Sequence, residues 1–527
     1  MPASSSGSTP DASVTTRSHT RSRAQIGMDA PRVIVETHLA GGLPGTTLVG
    51  LPATAVREAR DRVRSALQNC GFDYPRGKVI INLAPADLAK EGGRFDLAIA
   101  ISILRATGQI TPEAPRTFDY EFLGELSLNG ELRYTRGCLC AALHLDAGDR
   151  LVVPWANLAE ARLARDQILP VGHLQDVVNL LRMAPAERDL EPTPPSVGTA
   201  VDPAARPQVA DPIIGQSAAK RAIAVAAVGG HHLLLIGPPG AGKSLLSRRL
   251  PLLLPSLDTR RAMEVAAVYS AAGLSLENPS EPPIRDPHHS ASMTAMVGGG
   301  SQPRPGEISL AHQGVLFLDE LPHFKPSVLD ALREPLENRR IAIARATGQV
   351  AFPANFQLIA AMNPCPAGLT CEQGTCRCRP DQVQRYQSRI SGPLLDRVDL
   401  HVGVPEVPGR LLLEGLPPEA EAHSIREQIA KARRIQITRQ RCFNSELPVR
   451  ALERLVTLDA GARRMLDRAM ERYRLSARGL HRVLRVARSI ADLESAEGGE
   501  STQVGLPHLA EALSYRGMEW SGKGAAH

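Results

Sequence analysis

The chain is poor in aromatic residues: Phe, Trp and Tyr make up 3% of its 527 residues. Base-stacking platforms, which need a ring for each base held, are therefore excluded as the main mode of nucleic-acid binding. No run of about 18 apolar residues occurs, which excludes a membrane-spanning helix. The first residues contain no apolar stretch of signal-peptide type, so no secretory route is expected. Eight cysteines are too sparse for a small disulfide-built domain, and half of them crowd into one short segment. These absences together predict a cytoplasmic protein. Charge is only mildly one-sided: a formal net charge of +6 permits a polyanionic partner without requiring one. A hydrophobic content of 43% allows sizeable cores, and the length suggests about three domains.

What is present is organised around GPPGAGKS, that is Gly237, Pro238, Pro239, Gly240, Ala241, Gly242, Lys243 and Ser244, with Leu245 following. The pattern is a phosphate-binding loop. Its glycines let the backbone turn several N–H groups toward phosphate oxygens. Lys243 supplies a point charge for the β- and γ-phosphates, and the Ser244 hydroxyl is a ligand for Mg²⁺. HLLLIG before the loop reads as a buried strand, and LLSRRLPLLL after it as a helix whose positive end faces the anion. The alternative, a glycine-rich turn without nucleotide, does not explain these flanks. ATP and Mg²⁺ are the cofactors this reading requires.

Three further stretches carry compatible chemistry. VLFLDE (315–320) is an apolar strand ending in two acids: Asp319 would hold Mg²⁺ through its water shell, and Glu320 would orient or deprotonate the attacking water. By itself this could equally be a strand and an exposed acidic turn. FQLIAAMNP (356–364) is an apolar strand ending in Asn363, placed to bridge a γ-phosphate and a water, or else an Asn-Pro turn. SGPLLDRVDLHV sets Arg397 between two acids. An arginine there, supplied by a neighbouring subunit, would stabilise charge on the transferred phosphoryl group; the plainer reading is a surface ion pair.

Along the chain, residues 1–23 are Ser/Thr-rich without hydrophobic period and read as a disordered tail. Residues 24–183 read as one mixed α/β domain. Within it, VIVETHLAGGLPGTTLVGLP suggests strands and a hairpin, and the next twenty residues an amphipathic helix burying Val56, Ala59, Val63, Ala66 and Leu67. KVIINLAP is a buried strand, and FDLAIAISILRATGQI a helix closed near Gly108. Asn129-Gly130 signals a type I′ hairpin turn. Residues 184–210 are a Pro-rich linker. Residues 211–419 carry the phosphate loop, 420–515 are helical and rich in Arg, and 516–527 form a tail.

The order of these pieces resembles the AAA+ ATPases. DPHHSASMTAMVGGGSQPRPGEISLAHQGVLFLDEL, LREPLENRRIAIARATGQVAFPANFQLIAAMNPCP and SGPLLDRVDLHV are similar to the ComM/YifB-like branch of the magnesium-chelatase-related AAA+ family. The resemblance runs over about residues 24–515. It implies an α/β fold: an AAA+ core with a helical lid, preceded by a mixed α/β Lon-protease-like (ribosomal S5 domain 2-like) domain. It places Arg478, in LSARGLHRVLR, as a second sensing arginine that closes the lid, and Asp211 to Gln216 as a segment packing on adenine. It implies a homo-oligomer, a hexameric ring, and a DNA motor: a branch-migration helicase acting on branched DNA in recombination and natural transformation. Two rivals remain, a magnesium-chelatase-type motor subunit and an ATP-switched scaffold for a protein partner.

The resemblance also frames the weaker motifs. Lon-type proteolysis needs a Ser activated by a Lys. Here KEGGRFD puts Arg94 where the serine would stand, which leaves Lys90 a structural or binding lysine. The hairpin ENRRIAIARATGQVAFPA, turning at Thr347-Gly348, would point into a ring's pore and offer Arg339, Arg340 and Arg345 to DNA phosphates; outside a ring it is a solvated edge hairpin. GGGSQPRPGE resembles a flexible second pore loop. Cys365, Cys371, Cys376 and Cys378 can close a tetrahedral Zn²⁺ site, against the alternative of reduced loop cysteines. The spacing is irregular, and Ala367 stands where relatives often carry a cysteine. His288 and His289 are read as polar contacts near the nucleotide rather than metal ligands.

Overall fold

The computed structural model describes residues 17–50, 54–88, 90, 92–110, 120–182, 213–300, 303–345, 348–368, 376, 378–408, 420–473, 475–498 and 503–516. The expected linker 184–210 lies outside them, as do residues 1–16 and 517–527. The chain divides into two compact units: 1–202 with 266–277 and 301–304, and 203–265 with 278–300 and 305–527.

The first unit is built on a seven-stranded sheet of order β3-β4-β2-β1-β5-β8-β9. The strands are β1 (Arg17–Arg23), β2 (Arg32–Ala40), β3 (Gly45–Val49), β4 (Lys78–Ala84), β5 (Tyr120–Phe122), β8 (Arg150–Pro154) and β9 (Ile168–Val171). A separate two-stranded ribbon joins β6 (Glu125–Leu126) to β7 (Leu132–Arg133). Alternation along β4 buries Val79, Ile81 and Leu83 against Ala59, Val63, Ala66 and Leu67 of helix Thr54–Asn69. Helix Asp96–Ala106 is buried on nearly every face and closes as expected, with Gly108 at φ 73°.

Four expectations are corrected here. Residues 17–23 are no tail: β1 lies between β2 and β5 in the sheet. Its sequence, RSHTRSR, has no apolar period because polar contacts replace it. Thr20 Oγ1 donates to the Ala98 carbonyl at 2.8 Å, and Ser18 Oγ to that of Ser102 at 2.5 Å. Arg23 ends the strand on buried Glu121, with Nε at 2.5 Å and Nη2 at 3.0 Å. Secondly, β2 and β3 form no hairpin; β4 lies between them, antiparallel to β2 and parallel to β3, because its alternating apolar face makes it the better central strand. Thirdly, the Asn129-Gly130 turn is not type I′. Ser127 N donates to Glu131 O, and Gly130 N donates back to Ser127 O, giving a three-residue loop in which Gly130 (φ 90°) adopts the left-handed conformation while Asn129 does not. A Cβ on Gly130 would lie 2.3 Å from Cys70 Sγ. Lastly, residues 266–277, expected inside the second domain, pack with the first unit. The small residues at this end of helix Thr259–Ala272 admit close approach: Leu139 N donates to Ser270 Oγ at 3.3 Å, and Cys140 Sγ to the Ala267 carbonyl at 3.5 Å.

The second unit holds a five-stranded sheet of order β11-β14-β17-β10-β18, parallel throughout. Its strands are β10 (Leu233–Ile236), β11 (Ile284–Arg285), β14 (Val315–Leu318), β17 (Gln357–Met362) and β18 (Leu400–Gly403). Between them lie short strands β12 (Gly298–Gly299) and β13 (Arg304–Pro305), and a separate hairpin of β15 (Arg340–Arg345) and β16 (Gly348–Pro353). Strand β10 shows why such strands read as unbroken apolar runs. Leu233 and Leu235 enter the core around helix Ser217–Gly229, while Leu234 and Ile236 enter the core on the other side. Helices Ala420–Gln440, Val449–Leu455, Ala460–Tyr473, Ala477–Ala496 and Leu506–Ser514 follow, and Ala487, Ile490 and Leu493 share the first of these cores. Among the described residues no helix is long and apolar enough to cross a membrane.

Glu121→Gln should leave Arg23 and Arg32 facing a neutral amide in a buried site. The expected loss is about 3 kcal/mol for the first unit, read as a lower urea midpoint and faster hydrogen exchange across residues 17–40.

Candidate nucleotide site

The site forms where β10, β14 and β17 end side by side, at the carboxyl edge of the parallel sheet. Gly240 (φ 78°) and Gly242 (φ 85°) turn the loop, and a Cβ at either would meet nothing within 4 Å. Gly237 has a different reason: a Cβ there would lie 2.1 Å from the Val404 carbonyl oxygen. Lys243 opens helix Lys243–Leu253, and its buried ammonium donates to the carbonyls of Gly237 at 2.9 Å and Pro238 at 2.7 Å, and to Asn363 Oδ1 at 3.1 Å. Burial lowers its pKa, with Asp319 opposing. Ser244 Oγ donates to Asp319 Oδ2 at 2.6 Å. The other Asp319 oxygen accepts from Glu320 N at 2.8 Å. Glu320 sits at φ 50°, a left-handed conformation that a non-glycine residue rarely adopts and that fits a functional strand end.

Lys243, Ser244, Asp319, Glu320 and Asn363 are thus one cluster, and they fit Mg²⁺-nucleotide. A Cβ at Gly240 or Gly242 would meet open space, the ammonium donates to neutral oxygens, and a hydroxyl and a carboxylate lie together as hard oxygen donors for Mg²⁺.

Around this cluster the structure gives the expected polar neighbours their partners and adds others. His289 Nδ1 is 3.5 Å from Glu320 Oε2, its ring 4.1 Å from that of His288 and 5.8 Å from that of His323. Asp286 pairs with Arg248 at 3.6 Å; burial raises its pKa, against Arg248, while Asp319 adds to the rise. Gln216 Nε2 donates to the Ala241 and Pro405 carbonyls, tying the segment before the core to the loop. Gly368 lies so close to Pro239 that a Cβ would come within 2.6 Å of its ring. The DPHHS stretch was the available signal, but spacing cannot say which histidine meets the end of a strand some thirty residues later.

The two remaining arginines are elsewhere. Arg397 Nη2 meets Glu337 Oε2 at 2.7 Å, and Nη1 donates to the Pro393 carbonyl at 2.7 Å. Arg478 pairs with the other oxygen of Glu337. Arg478 and Glu337 line a cavity of about 450 Å³ with Arg339, His481, Arg482 and Arg485, and no phosphate-loop residue lines it. Arg478 therefore joins the Arg397 cluster rather than the phosphate-loop cluster.

The hairpin β15–β16 runs in register from Arg340↔Pro353 to Arg345↔Gly348, and Thr347 lies outside the described residues. Arg339 precedes it at φ 56° and pairs with Glu446 at 2.9 Å, while Arg340 is exposed. Cys365, Cys376 and Cys378 bring their sulfurs within 4.8 Å of one another; Cys371 lies outside the described residues. In the first unit Lys90 donates to the Pro85 carbonyl. Arg94 is buried, its guanidinium lowered to about 10 by burial, with Nη1 3.4 Å from Gln25 Oε1.

A parallel sheet of this strand order, with a phosphate loop after β10 and an acid pair after β14, defines a P-loop ATPase of the AAA+ class. Family models described as magnesium chelatase, subunit ChlI match residues 210–412, as subunit ChlI of Mg-chelatase residues 35–157, and as the subunit ChlI C-terminal region residues 419–516. The chain is 46% identical over 505 residues to competence protein ComM of Haemophilus influenzae, covering 94% of this chain and 97% of that protein. It is 44% identical over 502 residues to protein YifB of Salmonella typhimurium, covering 94% and 96%. A Mycobacterium tuberculosis protein is 41% identical over 508 residues, covering 93% and 96%. The chain belongs to the ComM/YifB-like family of magnesium-chelatase-related proteins.

Lys243→Ala is expected to abolish binding of a fluorescent ATP analogue. Glu320→Gln should bind it normally while phosphate release falls at least about 100-fold.

Proposed function

We propose that the chain is an ATP-driven, ring-forming DNA motor that moves branch points in recombining DNA. The observation that carries the ring is the separation of the two arginines from the phosphate-loop cluster. A phosphate-loop cluster that lacks Arg397 and Arg478, and that arginine pair gathered away from it, would complement each other between two copies of one chain. Support for DNA comes from the exposed Arg340 at the root of the β15–β16 hairpin and from the competence protein among the relatives. Backbone contacts by arginine are sequence-independent, as a translocating motor requires.

The chain's own residues would divide the work as follows. Bound Mg²⁺-ATP supplies the phosphoryl group and the metal's charge. Lys243 turns its ammonium from loop carbonyls to phosphate oxygens. Ser244 and Asp319 would hold the metal's oxygen shell. Glu320 accepts the proton of the attacking water at its carboxylate, and His289 sets the orientation of that carboxylate. Asn363, which accepts from Lys243, would bridge the terminal phosphate and the attacking water. The first unit is read as a Lon-protease-like domain without proteolysis, since neither a buried guanidinium nor Lys90 bonded to a carbonyl is a hydroxyl nucleophile.

The magnesium-chelatase reading keeps some weight because the matching family models carry that name. The test is ATP turnover with and without a mobile four-way DNA junction, with strand exchange scored in the same tube. Turnover raised by the junction, lost as salt rises, and accompanied by junction movement is the expected result. Turnover indifferent to DNA would favour the chelatase-type or protein-switch readings.

We also propose that Cys365, Cys376 and Cys378 hold a structural zinc ion beside Asn363 and Gly368. Metal analysis should find about one zinc per chain, and Cys376→Ser with Cys378→Ser should lose it.

A further inference from the structure

The arginine pair poses a physical problem. Two guanidinium groups repel each other, yet Arg397 and Arg478 meet on a single carboxylate, that of Glu337. Each carboxylate oxygen takes one arginine. Burial separates the two: the Arg397 side chain is 9% exposed and that of Arg478 50%. Among the described residues Arg397 is otherwise held at Nη1, by the Pro393 carbonyl, and its buried Nε has no partner.

The backbone around the pair is already secured. Arg482, one helical turn beyond Arg478, donates to the Arg397 carbonyl at 2.8 Å and to Asp399 at 2.6 Å. Asp399 in turn accepts from His232 N at 2.9 Å, at the start of β10. One helix therefore carries Arg478 and also pins the main chain of Arg397. What the backbone leaves open is the direction of the two guanidinium groups, and Glu337 decides it. Burial raises the pKa of Glu337, but the hydrogen bond and charge of Arg397, with the charges of Arg478 and Arg482, hold it below the usual range and so ionised.

We propose that Glu337 is a positioning residue: anchored from inside by Arg397, it aims the exposed guanidinium of Arg478 at a phosphate of the nucleotide held by a neighbouring copy of this chain. The inference rests on the ring reading above and deepens it by naming the residue that organises the interface arginines. It also accounts for the place of Glu337, in the last turn of helix Pro335–Asn338, immediately ahead of the β15–β16 hairpin. A carboxylate there ties the arginines to the root of the element proposed to grip DNA.

The test compares full-length wild type, Glu337→Gln, Arg478→Ala and Arg397→Ala. The first readout needs no turnover: assembly driven by ADP with aluminium fluoride, followed by sedimentation velocity. Glu337→Gln should need about 10-fold more chain for half-maximal assembly, because a neutral amide cannot hold two charged forks, while binding of ADP to the unassembled chain stays unchanged. The second readout is steady-state kinetics: kcat should fall about 10- to 100-fold with KM for ATP little altered. Should Glu337→Gln melt well below wild type, Glu337→Asp serves instead; it keeps the charge, loses reach, and should show the same split to a smaller degree. Wild-type assembly and kcat in Glu337→Gln, with both lost in Arg478→Ala, would overturn the positioning role and leave the ring reading standing. Wild-type behaviour in both arginine variants would overturn the ring reading itself.

Discussion

The Lys243 ammonium is the contact on which the nucleotide site depends. It binds two carbonyls of its own loop and the side chain of Asn363, so one buried charge ties the turn after β10 to the end of β17. A buried ammonium without these oxygens would be expelled or would lose its proton. With them, it stays buried beside its loop, and on the proposed reading it would exchange these neutral partners for charged ones when nucleotide arrives. The Ser244–Asp319 hydrogen bond does the same on the metal side, joining the helix after the loop to the end of β14. The sheet brings three strand ends together, and these two polar contacts turn that proximity into a site.

The same use of polar contacts in place of apolar ones recurs away from the site. Strand β1 is central in its sheet but holds its place through Thr20, Ser18 and the Arg23–Glu121 pair. The Arg397 and Arg478 pair is organised by Glu337, and the main chain beneath it by Arg482 and Asp399. Long-range carboxylate–arginine contacts are directional in a way apolar packing is not. They set where a side chain points, whereas apolar contacts set only that it is inside.

Much of the second unit was legible because its signals are local. A phosphate loop needs glycines and a lysine at fixed offsets, and a buried parallel strand needs an unbroken apolar run, so β10, β14 and β17 with Lys243, Asp319, Glu320 and Asn363 are visible as text. Helix Asp96–Ala106 and the amphipathic helix Thr54–Asn69 were legible for the same reason. Strand β1 was not, because a strand stabilised by hydrogen-bonding side chains shows no alternation of hydrophobicity. Nor was the separation of β2 and β3, since neighbours in sequence cannot announce that a strand nearly thirty residues later in the chain will lie between them.

The sequence by itself determined the chemistry: which residues can bind phosphate, hold a hard cation and take a proton, and in what order they come. Only the tertiary structure decided their company. It set His289 beside Glu320, gathered Cys365, Cys376 and Cys378, and put Arg478 with Arg397 on Glu337, away from the phosphate loop. The physical reason is range. Backbone turns and strand periods are written within a few residues, whereas the partner of a charged side chain is chosen by the fold, from residues 60 or 141 positions away in the case of Glu337 and its two arginines.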